Sequence, residues 1–376
     1  MKILGSSAIL LLFCFGLRAQ TRIFKEVGED ISTQMRAITQ DNALVGYLAF
    51  TRLEKASEDS FNYRITIMDE NLNDIGTVNF RQANLVLQTV SFEANVLCIG
   101  YIQTSLTGMQ KIRSYNGLQK AEDAASYSHI LLQFINLDGK VINTYYKDAH
   151  MEVRLAQVSH RAPVVIGAEL KYGMQIKNIP KHGFAFFYGD DMMHKLLVFD
   201  DKGELRHEIE SPMLAERYYL LASGEDIYLM LKQNERVPEG AFTLFDYSAR
   251  DLRPKNNFDL RDGYDNWLKV LSFDIDPASG DAYIAGCIIN PKRENRFLTP
   301  TDYYSVSNPD TKTNYVIIDD ERNIYIYNVN GKKVVRTIPH KDGNVKINVF
   351  PAKEGHMMVA EYNKKEKFTR FSIEAL

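Results

Sequence analysis

Asp274 and Asp276 stand two residues apart, with Asp281 close behind. Alternate side chains of a strand share a face, so the first two carboxylates would point together. Three such acids could hold calcium through oxygen. The further ligands of a recognised calcium loop are missing, however, and aspartates flanking a turn explain the pattern without a metal. No metal or cofactor is expected. Paired acids that cleave sugars meet in space and not in sequence; Asp319-Asp320-Glu321 is the densest candidate, and it also suits a solvated turn. The histidines fall at 129, 150, 160, 182, 194, 207, 340 and 356, with no His-x-His or His-Glu-x-x-His spacing to announce zinc. His194 follows Asp190-Asp191-Met192-Met193, and an exposed acidic loop ahead of a strand is preferred over a carboxylate–histidine site. Ser159-His160 reads as turn chemistry at a strand end. Neither a Gly-x-Ser-x-Gly elbow nor a phosphate-cradling glycine loop occurs.

Two insertions carry more information than any of these acids. Residues 104–128 hold Lys111, Arg113 and Tyr115, followed by polar Lys120–Asp123, and residues 290–314 hold Arg293, Arg296, Phe297, Tyr303 and Tyr304. Connections longer than about 12 to 15 residues without structure of their own are usually functional or disordered. Tyrosine and arginine offer large contact area, which suits a partner surface. The competing reading is plain surface elaboration. Trp267, after Tyr264-Asp265-Asn266, suits packing between sheets better than ligand stacking.

The elements that must position these residues repeat. Ile65–Asp69, Leu132–Asn136, Leu196–Asp200, Phe242–Asp246 and Ile324–Asn328 share one pattern, an apolar run ending in Asp or Asn, then a polar turn, then a second strand-like run. An Asp or Asn there can bond its own backbone and start the turn. A stronger strand pair precedes most copies: Leu85–Phe92 with Val96–Gln103, Tyr218–Ala222 with Ile227–Leu231, and Leu268–Ile275 with Tyr283–Ile289. Each unit therefore reads as four antiparallel strands, one blade of a β-propeller. Units fall at about 31–80, 84–148, 151–210, 214–260 and 266–340. A final set of three runs (Val345–Phe350, His356–Tyr362, Lys367–Ile373) lacks a fourth strand, which Arg22–Val27 could supply from the other terminus. The expected fold is all-β, a six-bladed propeller, or seven-bladed if Tyr315–Asp319 is an additional strand. A pair of β-sandwiches is the structural rival. Short helices are expected only at 29–39 and 212–217.

The phrase Phe273-Asp274-Ile275-Asp276-Pro277-Ala278-Ser279-Gly280-Asp281-Ala282-Tyr283-Ile284-Ala285-Gly286 resembles the inner-strand hairpin of secreted bacterial β-propeller repeats. Ile324 to Val335, with Asn330-Gly331 at its turn, resembles the outer hairpin of the same blades. The two stretches cover roughly a tenth of the chain. The resemblance implies a propeller of the kind found in surface or periplasmic proteins of unknown role, and it transfers no catalytic residues, because propellers host many unrelated functions.

Lys2, the apolar run Ala8–Phe15 and then Leu17-Arg18-Ala19 have the form of a secretory signal. The apolar core is too short for a membrane span, which needs about 20 residues. Cleavage is expected after Ala19, leaving 20–376 as one domain with a secreted or periplasmic location. Removal takes away Lys2 and Arg18 and no acid, so the formal charge of −3 becomes two units more negative. That balance argues against a nucleic-acid partner. Cys98 and Cys287 remain, both inside apolar runs, and read as buried free thiols, with a disulfide between them as the alternative. The functional expectation is a non-catalytic binding module, with a protein or glycan partner held on the rim that carries the two insertions. The alternative is a glycan-active enzyme with acids in the central channel.

Overall fold

A computed structural model describes residues 21–25, 34–40, 43–57, 60–104, 110–111, 129–149, 152–156, 164–169, 173–189, 193–211, 217–232, 241–261, 267–275, 282–288, 314–318, 324–328, 333–339, 345–353 and 355–375. Among them there is no α-helix, and no helix long and apolar enough to cross a membrane. In chain order, β1 (Thr21–Lys25) is followed by β2 (Met35–Gln40), β3 (Ala43–Ser57), β4 (Ser60–Asp69) and β5 (Asp74–Gln82), which form the first sheet. The second is β6 (Asn84–Glu93), β7 (Val96–Thr104), β9 (His129–Asn136) and β10 (Val141–Asp148). The short β8 (Gln110–Lys111) leaves this sheet to pair with β12 (Val164–Glu169), which also pairs with β11 (Glu152–Ala156).

The third sheet is β13 (Met174–Ile179), β14 (Gly183–Gly189), β15 (His194–Phe199) and β16 (Leu205–Ser211). β17 (Arg217–Ala222), β18 (Asp226–Lys232), β19 (Thr243–Ser248) and β20 (Pro254–Asp259) make the fourth. A hairpin of β21 (Leu268–Ile275) and β22 (Ala282–Ile288) follows, then a three-stranded sheet of β23 (Asn314–Ile318), β24 (Ile324–Asn328) and β25 (Lys333–Ile338). The last sheet is β26 (Val345–Pro351), β27 (His356–Asn363) and β28 (Phe368–Ala375), and β1 adds to it antiparallel, Thr21 opposite Ser372 through Lys25 opposite Phe368. The predicted closing strand is therefore present.

These sheets stand side by side around an axis. First strands touch in succession, β2 with β6, β6 with β13, β13 with β17 and β17 with β21. Thr89 and Glu93 of β6 bond to Ile176 and Asn178 of β13, in the same order along both strands, so neighbouring first strands run parallel. Adjacent sheets share apolar cores: Ile65, Tyr63 and Leu97 between the first and second, Phe134 with Phe186 between the second and third, Phe187 with Leu229 between the third and fourth. Met35, Tyr47 and Met68 of the first sheet pack on Met358, Ala360 and Phe371 of the last. First and last sheets meeting in one core close the ring, and this is a β-propeller, not two face-packed layers. Middle strands have a sheet on each side, which is why β14 and β15 are buried along their whole length, while the outer β20 is exposed throughout.

Three third-to-fourth-strand turns share one design. The side-chain oxygen of Asp69 accepts from the N–H of Asn71 and Asn73 (2.8 Å each), that of Asn136 from Lys140 (2.7 Å), and that of Asp200 from Lys202 and Glu204 (2.9 Å each). The residue two positions ahead of the return strand takes a left-handed conformation, Leu72 at φ 64°, Gly139 at 87° and Gly203 at 73°. These turns also lock onto the sheet before. Gly139 lies on the backbone of Thr77 in β5, and Gly203 sits on the Phe134 ring while its carbonyl accepts from Asn143 Nδ2 at 2.8 Å.

Asp200→Ala should cost about 1–2 kcal/mol, read from urea unfolding, because two backbone donors and Arg206 lose their acceptor. Burial pushes the Asp200 carboxyl up, but the Glu204 N–H, the Arg206 guanidinium and the Lys202 N–H outweigh it and hold it below the usual carboxylate range. A folded-state pKa below the unfolded one gives stability that is complete above the unfolded value and is lost as pH falls through the folded one. The gap between wild type and variant should therefore shrink below about pH 4.

Four expectations need correction. Asp246 is not a turn residue: it sits inside β19 opposite Asn256, and the turn is closed by Ser248 and Arg253 with Leu252 at φ 53°. β19 runs two residues past the sequence pattern, and the Asp246 carboxyl is pushed up by burial and by Asp226. The helix expected at 29–39 is strand β2 from Met35 onward, because tertiary pairing with β3 outweighs local preference. The helical candidate 212–217 lies outside the described residues except Arg217, which begins β17. The unit expected at 151–210 is two things, the accessory β11–β12 pair and a complete blade from β13 to β16. Finally, the unit at 266–340 divides into β21–β22 and β23–β25, joined through residues outside the described set. The described sheets of the ring are then five of four strands, one of three and one of two.

Candidate functional site

Antiparallel alternation fixes where connections emerge. In a four-stranded meander the second-to-third and fourth-to-next-first connections leave at the same end, the end at which each first strand starts. The C-terminal ends of β7, β10 and β22 therefore lie at this entry rim, where the connections that follow them begin. The first two of these connections join one another: Gln110 pairs with Val165 and Lys111 with Val164, while β11 pairs along β12 from Glu152 opposite Glu169 to Ala156 opposite Val164. The result is a three-stranded accessory sheet that belongs to no blade.

Polar side chains stand at the ends of the blade strands on this rim. Gln103, His129 and Asp148 are neighbours across β7, β9 and β10, and His129 Nδ1 lies 2.6 Å from Asp148 Oδ1. Gln103 donates to Gln82 at 2.9 Å, and Gln82 donates to the Tyr146 hydroxyl at 2.5 Å, which ties the first sheet to the second. Asp148 is almost fully exposed and Tyr146 is half exposed, so this row offers donors and acceptors to a ligand. Sequence reasoning missed it. Its members lie at strand ends up to 66 positions apart (82 to 148) and only the register makes them adjacent.

The candidates named from sequence fall as follows. Lys111 is in β8, within the accessory sheet. Arg113, Tyr115, Arg293, Arg296, Phe297, Tyr303 and Tyr304 lie outside the described residues, as do Asp190, Asp191, Asp276, Asp281, Ser159, His160 and Asp319-Asp320-Glu321. Asp274 is on β21 opposite Tyr283. His194 is no loop residue: it begins β15, is buried, and packs its ring 5.4 Å from Phe187. Trp267 bridges to Arg261, whose guanidinium lies 4.0 Å above the indole, so the ring serves packing between strands. Cys98 is a buried free thiol, its pKa pushed well up by burial, so no disulfide joins it to Cys287.

Around the axis, Lys177 of β13 has its ammonium pKa lowered by burial and raised in part by Asp274 of β21. Glu93 is consumed structurally, accepting from Asn178 at 3.1 Å and from the Lys181 N–H at 2.9 Å. Among the described residues no group of three or more His, Cys, Asp or Glu could hold a metal.

No family model matches the chain, and no curated protein matches it in sequence. In three dimensions it is similar to the Cps50 (Swd1) β-propeller domain of Myceliophteria thermophila, at 10% identity over 96% of this chain and 100% of that one, with a TM-score of 0.45. It is also similar to the C-terminal WD40 domain of Sif2 (11% identity, 88% and 92% coverage, TM-score 0.37) and to a protein of unknown function from Bacteroides caccae (10%, 86% and 91%, 0.31). The propeller assignment stands on this chain's own strand order and sheet packing.

Proposed function

We propose that the protein is an exported, non-catalytic binding module whose entry rim holds a protein or glycan partner. The accessory sheet carries this reading. The blades close without it, yet strands from two separate connections build it, and those connections start from the rim that carries the exposed Tyr146 and the His129–Asp148 pair. Lys111, Arg113 and Tyr115 belong to the first of these connections, and Arg293, Arg296, Phe297, Tyr303 and Tyr304 follow in sequence after β22, whose end is at the same rim. Large rigid aromatic and guanidinium groups gathered on a scaffold suit recognition. Export rests on the charged start, the short apolar run and Leu17-Arg18-Ala19 at the N-terminus of the sequence.

A thermal-shift screen of mature protein against glycans and envelope proteins tests the reading, since a ligand at a hundredfold its Kd adds about 2.7 kcal/mol to the folded state. The expected result is a ligand that raises the melting temperature and is recovered unchanged. Replacing 105–128 with a two-residue turn should abolish that rise while leaving the unliganded melt in place. Conversion of the ligand to product would overturn the non-catalytic reading, and an undiminished rise in the loop variant would overturn the rim.

A further inference from the structure

The apolar core between the first and second sheets ends at one level. Phe80, Tyr101 and Leu131, on β5, β7 and β9, belong to that core. Two residues nearer the entry rim, on the same face of each strand, stand Gln82, Gln103 and His129. β10 completes the row, with Tyr146 opposite Leu131 and Asp148 opposite His129. A rim that only has to stay wet is served by mobile lysine and glutamate. These groups are instead tied to one another: Gln103 donates to Gln82 at 2.9 Å and Gln82 to the Tyr146 hydroxyl at 2.5 Å.

Hydrogen-bond accounting shows what the row leaves over. A tyrosine hydroxyl both accepts and donates. Gln82 fills the acceptor side of Tyr146, so the hydroxyl hydrogen remains to be given, from a side chain that is half exposed. Asp148 accepts from the Nδ1–H of His129, which leaves the lone pair of the neutral ring on Nε2. Among the described residues nothing else bonds to the Tyr146 hydroxyl, to His129 Nε2 or to the second oxygen of Asp148. One donor and two acceptors therefore face outward together. Their spacing is set by the sheet, since opposite residues have Cβ atoms about 5 Å apart and diagonal ones about 7 Å.

We infer that this row binds a neutral, hydroxyl-rich sugar unit of a glycan, a choice of ligand class that rests on the entry-rim reading. One sugar hydroxyl accepts from Tyr146, and its neighbours on the ring donate to His129 Nε2 and Asp148. A sugar suits the array because each hydroxyl can give and take, and adjacent ring carbons hold several in fixed directions. The half-exposed Tyr146 ring gives the C–H face of a sugar a surface to lie on. It does not supply the desolvated apolar centre on which a protein partner relies. An anionic sugar would meet Asp148 without a cation from the row: Lys147 is on the other face of β10 and bonds to Glu208, and Arg52 is held by Asn84 and the Phe61 ring. Groups fixed by their neighbours before the sugar arrives lose little freedom on binding.

The test is affinity electrophoresis of the mature chain through gels holding soluble mannan, xylan, β-1,3-glucan, starch or polygalacturonate. At least one of the four neutral polymers should retard the protein, and polygalacturonate should not. Tyr146→Phe keeps the ring and removes the donor; His129→Phe keeps a ring and removes the acceptor. Each should raise the dissociation constant for the retarding polymer about tenfold, since a site built to bond a hydroxyl loses discrimination with each partner removed. Melting curves of both variants check folding. Equal retardation by polygalacturonate, or wild-type retardation of both folded variants, would overturn the inference. Failure of all four neutral polymers beside a protein partner that needs residues 105–128 would remove the sugar and leave the entry rim standing. Failure of all four with no ligand in the thermal-shift screen would overturn both.

Discussion

Deleting residues 20–25 is expected to open the ring and to cost more than any single side-chain change, at least about 3 kcal/mol. β1 contributes a full edge to the last sheet, and Phe24 meets Phe371 edge-to-face with centroids 5.7 Å apart. Arg22 reaches across the seam to Asp74 of the first sheet at 2.7 Å. Without β1, the long β28 becomes a bare edge over a buried phenylalanine, the arrangement that pairs with other chains. Urea unfolding should show a lower midpoint, and size-exclusion chromatography should show association that wild type lacks. A peptide spanning 20–25, added in trans, should restore part of the midpoint. A deletion variant that melts within about 2 °C of wild type would mean that the first and last sheets hold the seam by themselves.

Gly203→Ala should cost about 3 kcal/mol or more, while Gly355→Ala should cost only about 1 kcal/mol. Both glycines have positive φ, 73° and 69°, so each substitution strains the backbone similarly. The difference lies in what surrounds them. A Cβ at 203 would overlap the Phe134 ring, whose neighbours Phe184 and Phe199 leave it nowhere to move, whereas a Cβ at 355 meets nothing within 4 Å. Urea midpoints of the two variants, measured side by side, check this. Equal losses would show that the turn does not bear on the neighbouring sheet.

The hairpins were legible in the sequence because both of their determinants are local. Leu85–Phe92 with Val96–Gln103 and Tyr218–Ala222 with Ile227–Leu231 pair as their alternation requires. Asp69, Asn136 and Asp200 start their turns as the repeat implied, since each bonds to backbone within four residues. Asp246 misled for a related reason: the motif recurs in composition, but strand pairing carries β19 past it and hands the turn to Ser248. His194 looked like part of an acidic loop because its neighbours in sequence are acidic, yet its neighbours in space are aromatic.

Residue order alone settled the β character, the repeating hairpins, the turn chemistry at three positions and the source of the closing strand. Each follows from interactions spanning a few residues, or from counting strands and finding one short. Tertiary packing alone decided that β8 pairs with β12 outside the blades, that Gln82, His129 and Asp148 share one rim, and that Arg22 of β1 meets Asp74 of β5 across the seam. Those arrangements depend on register between segments far apart in the chain, and a one-residue slip would turn every side chain to the other face.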